Sequence, residues 1–396
     1  MKKIEKILQS LALAGARTYY VGGCVRDELL NINSKDIDIE IHNVSEKTFI
    51  KIMLALNIHM DFVGESFGVY KTRLDGYEYD FSFPRTEVKT GDKHTDFKII
   101  VDPFIGEYEA SLRRDFTINA LMKNTQTGEI LDFHNGIDDL NNGIIRHTSD
   151  KFSEDGLRIY RAAQFAARFG FKIDESTKQL FIPNLVQNLA IERVHMELQK
   201  VIYKAKKPSL FFNSLPDEIL AIHFNNIISI KDIICNVLDN LAKYKDNKYY
   251  ELAFFTILYT PSNEKSNLIV NEKQIVKFIK NFDYAKLLEL LPYNNYDYKL
   301  YDMFKYIDKY NYAGILILKA FTPHLDLKYD SEFRRYNNIV RNLVNGKDLI
   351  TLGYNPDARF SQVINAMKDN LFKGIAHPFA LNNALKTVYE VNNNDN

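Results

Sequence analysis

The chain has 396 residues, 46% of them hydrophobic, and its 51 acidic and 51 basic side chains cancel to a formal charge of zero. This composition is globular and excludes a protein that binds polyanions through its overall charge, so any basic surface must be local. The two cysteines, Cys24 and Cys235, form neither a CxxC pair nor a disulfide framework, which fits a reducing compartment.

This length accommodates two to four domains with sizeable cores. The opening MKKIEKILQSLALAGA begins like a secretion signal but carries Glu5 and Gln9, so it reads as an amphipathic helix. No run approaches a membrane span, and the expected location is cytoplasmic. Residues 17–145 alternate short strand-like runs with turn signals: Phe67–Arg73, Tyr77–Phe83, Lys98–Val101 and Glu129–Phe133. Beyond Asp150 the period lengthens. Gly156–Phe169, Ile191–Lys204 and Ile227–Tyr244 place apolar residues at helical spacing. Strands followed by helices make the fold class α+β. Residues 290–312, rich in Tyr, Asn, Asp and Lys, suit either a solvated helix or a loop, and the tail VNNNDN reads as disordered.

The stretch Tyr19–Ile41 is expected to form a strand, a Gly22-Gly23 turn, a short helix and a second strand carrying Asp36-Ile37-Asp38. On a strand, Asp36 and Asp38 share a face about 6.5–7 Å apart. Facing a glycine turn, they suit metal ions and a phosphate chain, although an exposed strand face explains Asp-x-Asp equally well. Gly64-Glu65-Ser66-Phe67-Gly68 matches the G-x-S-x-G hydrolase elbow but lacks its preceding buried strand and oxyanion segment, and a glycine-flanked turn is preferred. No histidine stands next to an aspartate and there is no HExxH, which argues against a histidine-metal centre.

Asp80 is the one acid of Tyr79–Arg85 and is either a third carboxylate beside Asp36 and Asp38 or an exposed strand acid. Arg113-Arg114 leads into an apolar run, Phe116–Leu121, which is expected to be helical with Asp115 as its N-cap. The planar guanidinium fork suits phosphate oxygens, yet a surface arginine pair is a common alternative.

In Glu154–Gln164, Asp155 and Arg158 stand at i, i+3 and are expected to be neighbours on one helix face. They make either an ordinary intrahelical ion pair or a base reader. Cytosine and adenine both offer an amino donor beside a ring-nitrogen acceptor, whereas uracil and guanine offer the reverse. A carboxylate that only accepts, beside a guanidinium that only donates, takes C and A and leaves buried groups unpaired against U or G.

These residues resemble the class II tRNA nucleotidyltransferase and bacterial poly(A) polymerase family. The resemblance rests on Gly22–Asp27, Asp36-Ile37-Asp38, Arg85-Thr86-Glu87, Arg113–Leu121, Gly136–Leu140, Glu154–Arg158 and Glu192-Arg193-Val194 with Glu197, in that order. It covers residues 17–205 closely, and Asn345–Leu349 is similar to the tail of many members. It implies a seahorse-shaped chain. A nucleotidyltransferase-type mixed sheet head (1–146) would be followed by an all-α neck (147–215), body (216–325) and tail (326–396). It implies that Asp36 and Asp38 bind Mg2+ and are catalytic with Asp80. Gly23, Arg26 and Arg114 would hold the triphosphate, while Asp155, Arg158, Arg161 and Gln164 line the nucleotide pocket. The family usually has an arginine where this chain has Gln164, and Glu192-Arg193 is read there as a brace. The implied partners are the tRNA 3′ end, CTP and ATP, with no protein partner required. The implied reaction is CCA addition, with A-only addition, poly(A) synthesis or a non-catalytic RNA-binding role as alternatives. Arg85–Phe97 is similar to the flexible loop of CCA-adding enzymes, and no HD module follows the neck.

Overall fold

The computed structural model describes residues 3–63, 68–89, 97–259, 311–323, 331, 334–336, 338–339, 343–373 and 375–390. Ser66, the loop residues 90–96, residues 290–310 and the VNNNDN tail, which carried sequence expectations, lie outside them. The described chain forms two compact units, one running to Asn236 and one taking the residues from Val237 onward.

The first unit begins with helix α1 (Lys3–Leu13), whose Ile4, Ile7, Leu8 and Leu11 recur at helical spacing and are buried. Strand β1 (Arg17–Val21), helix α2 (Gly23–Leu29), strand β2 (Asp36–His42) and helix α3 (Glu46–Ala55) follow. Next come β3 (Asp61–Val63), β4 (Val69–Leu74), β5 (Tyr77–Ser82), and the separate hairpin β6 (Arg85–Lys89) and β7 (Phe97–Val101). After α4 (Glu107–Ser111), strands β8 (Met122–Asn124) and β9 (Ile130–Leu131) complete a seven-stranded sheet in the order β3-β4-β5-β2-β1-β8-β9. Only β2 and β5 pair in parallel, so the sheet is mixed.

Strict alternation in β2 divides its side chains between the faces. Ile39 and Ile41 enter a core with α1, α3, Tyr70 and Phe81. Phe49 sits there within 5.3 Å of the Tyr70 and Phe81 rings and 5.7 Å of Phe83. Asp36, Asp38, Glu40 and His42 take the other face, where Tyr19 of β1 meets His42 edge-on.

The chain then turns helical through α5 (Gly136–Asn142), the short parallel pair β10 (Ile144–Ile145) and β11 (Lys172–Ile173), and the long helix α6 (Leu157–Phe169) between them. Short helices α7 (Glu175–Lys178) and α8 (Pro183–Val186) lead to α9 (Ile191–Lys204), which packs on α6. Helices Ser209–Asn213, Asp217–Phe224 and Lys231–Leu241 follow.

In the second unit Tyr250–Tyr259 is apolar and buried almost throughout and packs against Asn311–Phe321. The Asn345-Gly346-Lys347-Asp348 stretch is a capping box: Asn345 accepts from Lys347 and Asp348 backbone N–H groups, and Asp348 returns a bond to Asn345 N–H. Helices Arg359–Phe372 and His377–Leu385 close around Leu349, Val363, Met367, Ala380 and Ala384.

Two expected helices differ from the structure. Phe116–Leu121 holds a single 3-10 turn, Thr117–Asn119, because its backbone is drawn sideways. Thr117 N–H bonds Arg146 O, its hydroxyl bonds Asp139, and Phe116 bridges His147. Ile227–Tyr244 is helical only over Lys231–Leu241, with 3-10 turns on both sides.

Candidate active site

Asp36 and Asp38 share a face of β2, as the alternation requires. Parallel pairing with β5 sets Asp38 directly across from Asp80 and Asp36 across from Glu78. Asp36 is exposed at the strand start and Asp38 is half-buried. Burial pushes the Asp38 carboxyl above its usual range; Arg114 opposes this, while Asp80 and Asp36 add to it. Lys71 of β4, across from Asp80, donates to the Asp80 carboxylate.

The turn before α2 borders these acids. Gly22 has φ +70°, in the left-handed region, and a Cβ there would come within 3.3 Å of Arg114 Nη1 and 4.0 Å of Asp38 Oδ2. A side chain would fill the space shared by the turn, the acid and the arginine. Gly23 opens α2 immediately after it.

Arg114 reaches this place because its other arm is anchored. Its Nη2 donates to Glu40 Oε2 at 3.0 Å, and Arg113 Nη2 donates to the same oxygen at 2.8 Å. Glu40 Oε1 lies 3.2 Å from His42 Nε2, and the whole residue is 1% exposed. Burial opposes ionisation of Glu40, but Arg114, the His42 hydrogen bond and Arg113 outweigh it and hold the carboxyl well below the usual range.

Arg26 is placed differently from the expectation of a triphosphate ligand. It is 3% exposed, with its guanidinium bonded to Asp27 and Asn119 and lying about 5 Å from the Phe165 and Phe169 ring centres. Arg168 bonds the second oxygen of Asp27. In this arrangement Arg26 joins α2 to α6.

Helix α6 meets the Arg113-Arg114-Asp115 segment directly. Arg158 donates to the carbonyls of Lys151 (2.6 Å) and Arg113 (2.8 Å). Arg161 donates to Asp115 Oδ2 and lies 3.5 Å from Glu197. Burial opposes the charge on Asp115, yet Arg161 and the Asn119 amide keep its carboxyl below the usual range. Gln164 is 2% exposed, and its Nε2 has no hydrogen-bond partner in the structure.

Asp155 departs from the expected helical pairing with Arg158. It is extended (φ −131°, ψ 105°) at the end of the 3-10 turn Asp150–Glu154, and α6 starts only at Leu157. Its carboxylate accepts from Leu157 N–H at 3.0 Å and from Arg193 of α9 at 2.8 Å. Gly156 makes the bend possible, since a Cβ there would stand 1.9 Å from Leu185 O. The Asp155 carboxylate is thus paired with Arg193 and the Arg158 guanidinium with two carbonyls, in place of the expected intrahelical ion pair.

Glu40, Lys71, Asp27 and Asn119 were not singled out from the sequence. Glu40 continues the Asp-Ile-Asp-Ile-Glu alternation and was legible there; Lys71 joins the site only through strand register.

The donor chemistry fits a hard divalent cation. Asp38 and Asp80 are carboxylates on adjacent strands whose mutual repulsion a cation would relieve. Among the described residues no three acidic, histidine or cysteine side chains gather at metal-binding distance.

Residues 18–146 match the poly(A) polymerase head domain family. The chain is 38% identical over 206 residues to the Multifunctional CCA protein of Haemophilus influenzae and 37% identical over 206 residues to that of Mannheimia succiniciproducens, in each case over 50% of this chain and 47% of the relative. It thus spans about half the length of the curated relatives it matches. The Thermotoga maritima CCA-adding enzyme complexed with tRNA-CCA superposes with a TM-score of 0.76, at 20% identity over 97% of this chain and 95% of that one. A CCA-adding enzyme complexed with CTP superposes with a TM-score of 0.75, at 20% identity over 98% of this chain and 94% of that one. Joined to the motif order, these likenesses show a poly(A) polymerase head domain over residues 18–146 and, over nearly the whole chain, the fold of the CCA-adding enzymes.

Proposed function

We propose that the protein adds C, C and A to the 3′ end of tRNA from CTP and ATP, without a nucleic-acid template. The observation that carries this reading is the juxtaposition of Asp38 and Asp80 in register, with Gly22 and Arg114 bordering the same space. The tRNA 3′-hydroxyl attacks the α-phosphate, a new P–O bond forms, the α–β bridge breaks, and pyrophosphate leaves with the charge it gains. Magnesium held by Asp36 and Asp38 would supply Lewis-acid assistance to attack and departure.

The chain's own groups do the rest. Gly22 and Gly23 admit the phosphate chain close to backbone, and Arg114 Nη1 offers a fork to its oxygens. Lys71 orients Asp80 beside Asp38. Asp155, just before α6, and Arg158, in its first turn, are the base-selecting pair. Arg193 and the Leu157 N–H hold the Asp155 carboxylate, and Arg158 turns from its two carbonyls to meet a base. Arg161 and Gln164 complete that side, with the uncommitted Gln164 amide as a donor. Arg26 is better assigned to bracing α2 against α6. Cys24 and Cys235 are not joined in a disulfide, which suits the reducing cytoplasm in which this reaction would occur.

The test is incubation with tRNAs lacking three, two or one of the terminal nucleotides, each with single NTPs. CCA addition predicts C transfer to the first two and A transfer to the last. A transfer alone identifies an A-adding enzyme, long A tracts identify a poly(A) polymerase, and absence of all transfer overturns the reading.

A further inference from the structure

The Glu40 carboxylate carries the inference that goes furthest beyond the motif residues. It sits on the same face of β2 as Asp36 and Asp38, four and two residues further along. It is 1% exposed, with Arg113 and Arg114 on Oε2 and His42 on Oε1. Two adjacent arginines repel each other, and both side chains are largely buried, at 13% and 19% exposed. One shared carboxylate oxygen makes that crowding tenable and sets the direction of each fork. With Nη2 of Arg114 committed to Glu40, Nη1 is the arm left against the Gly22 turn, 3.3 Å from where a Cβ would lie.

We propose that Glu40 is the positioning residue of the triphosphate site, aiming Arg114 at the Gly22 turn. The proposal rests on the nucleotidyltransferase reading for the identity of the ligand. Glu40 touches no substrate and takes no proton; its effect passes entirely through Arg114. Freed from Glu40, the Arg114 guanidinium turns toward Asp38, whose oxygen borders the same space, and the phosphate site loses its preformed fork.

The experiment measures binding of inorganic tripolyphosphate in the presence of Mg2+ by calorimetry, together with KM and kcat for CTP and ATP, on the full chain. Glu40→Gln, Arg114→Ala and the double variant are compared with the unmodified protein. Glu40→Gln should weaken tripolyphosphate by about tenfold and raise KM for CTP and ATP alike, while kcat and the C/A choice stay near their starting values. Adding Glu40→Gln to Arg114→Ala should cost nothing more, because the only route of action is gone. Undiminished binding by Glu40→Gln, or the same loss in both backgrounds, overturns the proposal. If Glu40→Gln does not fold, Glu40→Asp keeps the charge, withdraws it by one methylene and is read with the same expectations. Failure of the unmodified protein to bind tripolyphosphate overturns the positioning role along with the site. Binding without nucleotide transfer to tRNA overturns only the reaction assigned above.

Discussion

At the scale of single residues, the structure separates arginines that brace from those that face the site. Arg26 is buried against Asp27, Asn119 and two phenylalanine rings, so Arg26→Ala leaves Asp27 short of a charge partner in a dry place. It should destabilise the protein by about 3 kcal/mol, read as a lowered urea midpoint. Arg114→Ala should instead weaken nucleotide binding with a much smaller change in that midpoint. Asp38→Ala is expected to reduce nucleotide addition by about a hundredfold or more while the circular dichroism spectrum is retained. Near-normal addition by that variant would remove Asp38 from the reaction. Asp155→Ala should erode rejection of UTP and GTP more than it weakens CTP binding, measured as the ratio of kcat/KM values; unchanged ratios would refute the edge-reading role.

At the scale of elements, the segment Arg113-Arg114-Asp115 is the crossing point between the sheet and α6. Arg113 and Arg114 bond Glu40 of β2, while Asp115 bonds Arg161 and the Arg113 carbonyl receives Arg158. An acid before an apolar run is the signature of an N-cap, and Asp115 carries it in the sequence. Here its carboxylate takes Phe116 N–H, Asn119 and Arg161, and no long helix follows to be capped. The start of α6 is fixed by an equally local contact. Gly156→Ala would drive a Cβ into the Leu185 carbonyl and force α6 from its neighbour. A cost of about 3 kcal/mol in thermal or urea unfolding is expected, with Asp155 displaced from Arg193 and base selectivity reduced. A variant as stable and selective as its parent would show that the bend tolerates a side chain.

At the scale of the whole molecule, zero net charge leaves recognition of a polyanion to local arginines and lysines. Binding of tRNA should weaken as salt rises, and a salt-independent affinity would argue against phosphate contacts. Acidification tests the buried carboxylates. Glu40 and Asp115 are both held below their usual range in the fold. Each therefore contributes stability that is present above its unfolded value, about 4, and lost as pH falls through the depressed folded value. Asp38, shifted upward, acts in the opposite sense and partly offsets them. The urea midpoint should fall between pH 5 and pH 3, by less in Glu40→Gln than in the parent, and a midpoint that does not move would contradict the assigned burial.

The sequence by itself determined whatever follows from period and local chemistry. The alternation of Asp36–His42 placed the two aspartates on one face, the glycine pair marked the turn, and helical spacing marked Gly156–Phe169, which begins at Leu157 in the fold, and Ile191–Lys204. Motif order likewise carried the resemblance to the class II tRNA nucleotidyltransferase and poly(A) polymerase family. Only the tertiary structure decided which charges meet. Strand register brought Asp80 and Lys71 to Asp38, and folding buried Arg26 against Asp27, Asn119 and two phenylalanine rings. A bend at Gly156 gave Asp155 to Arg193 instead of Arg158. The physical reason is range: period and caps act within a few residues, whereas Glu40 meets Arg113 and Arg114 across more than seventy positions of chain, a contact that exists only after the sheet and the Arg113–Asp115 crossing are built.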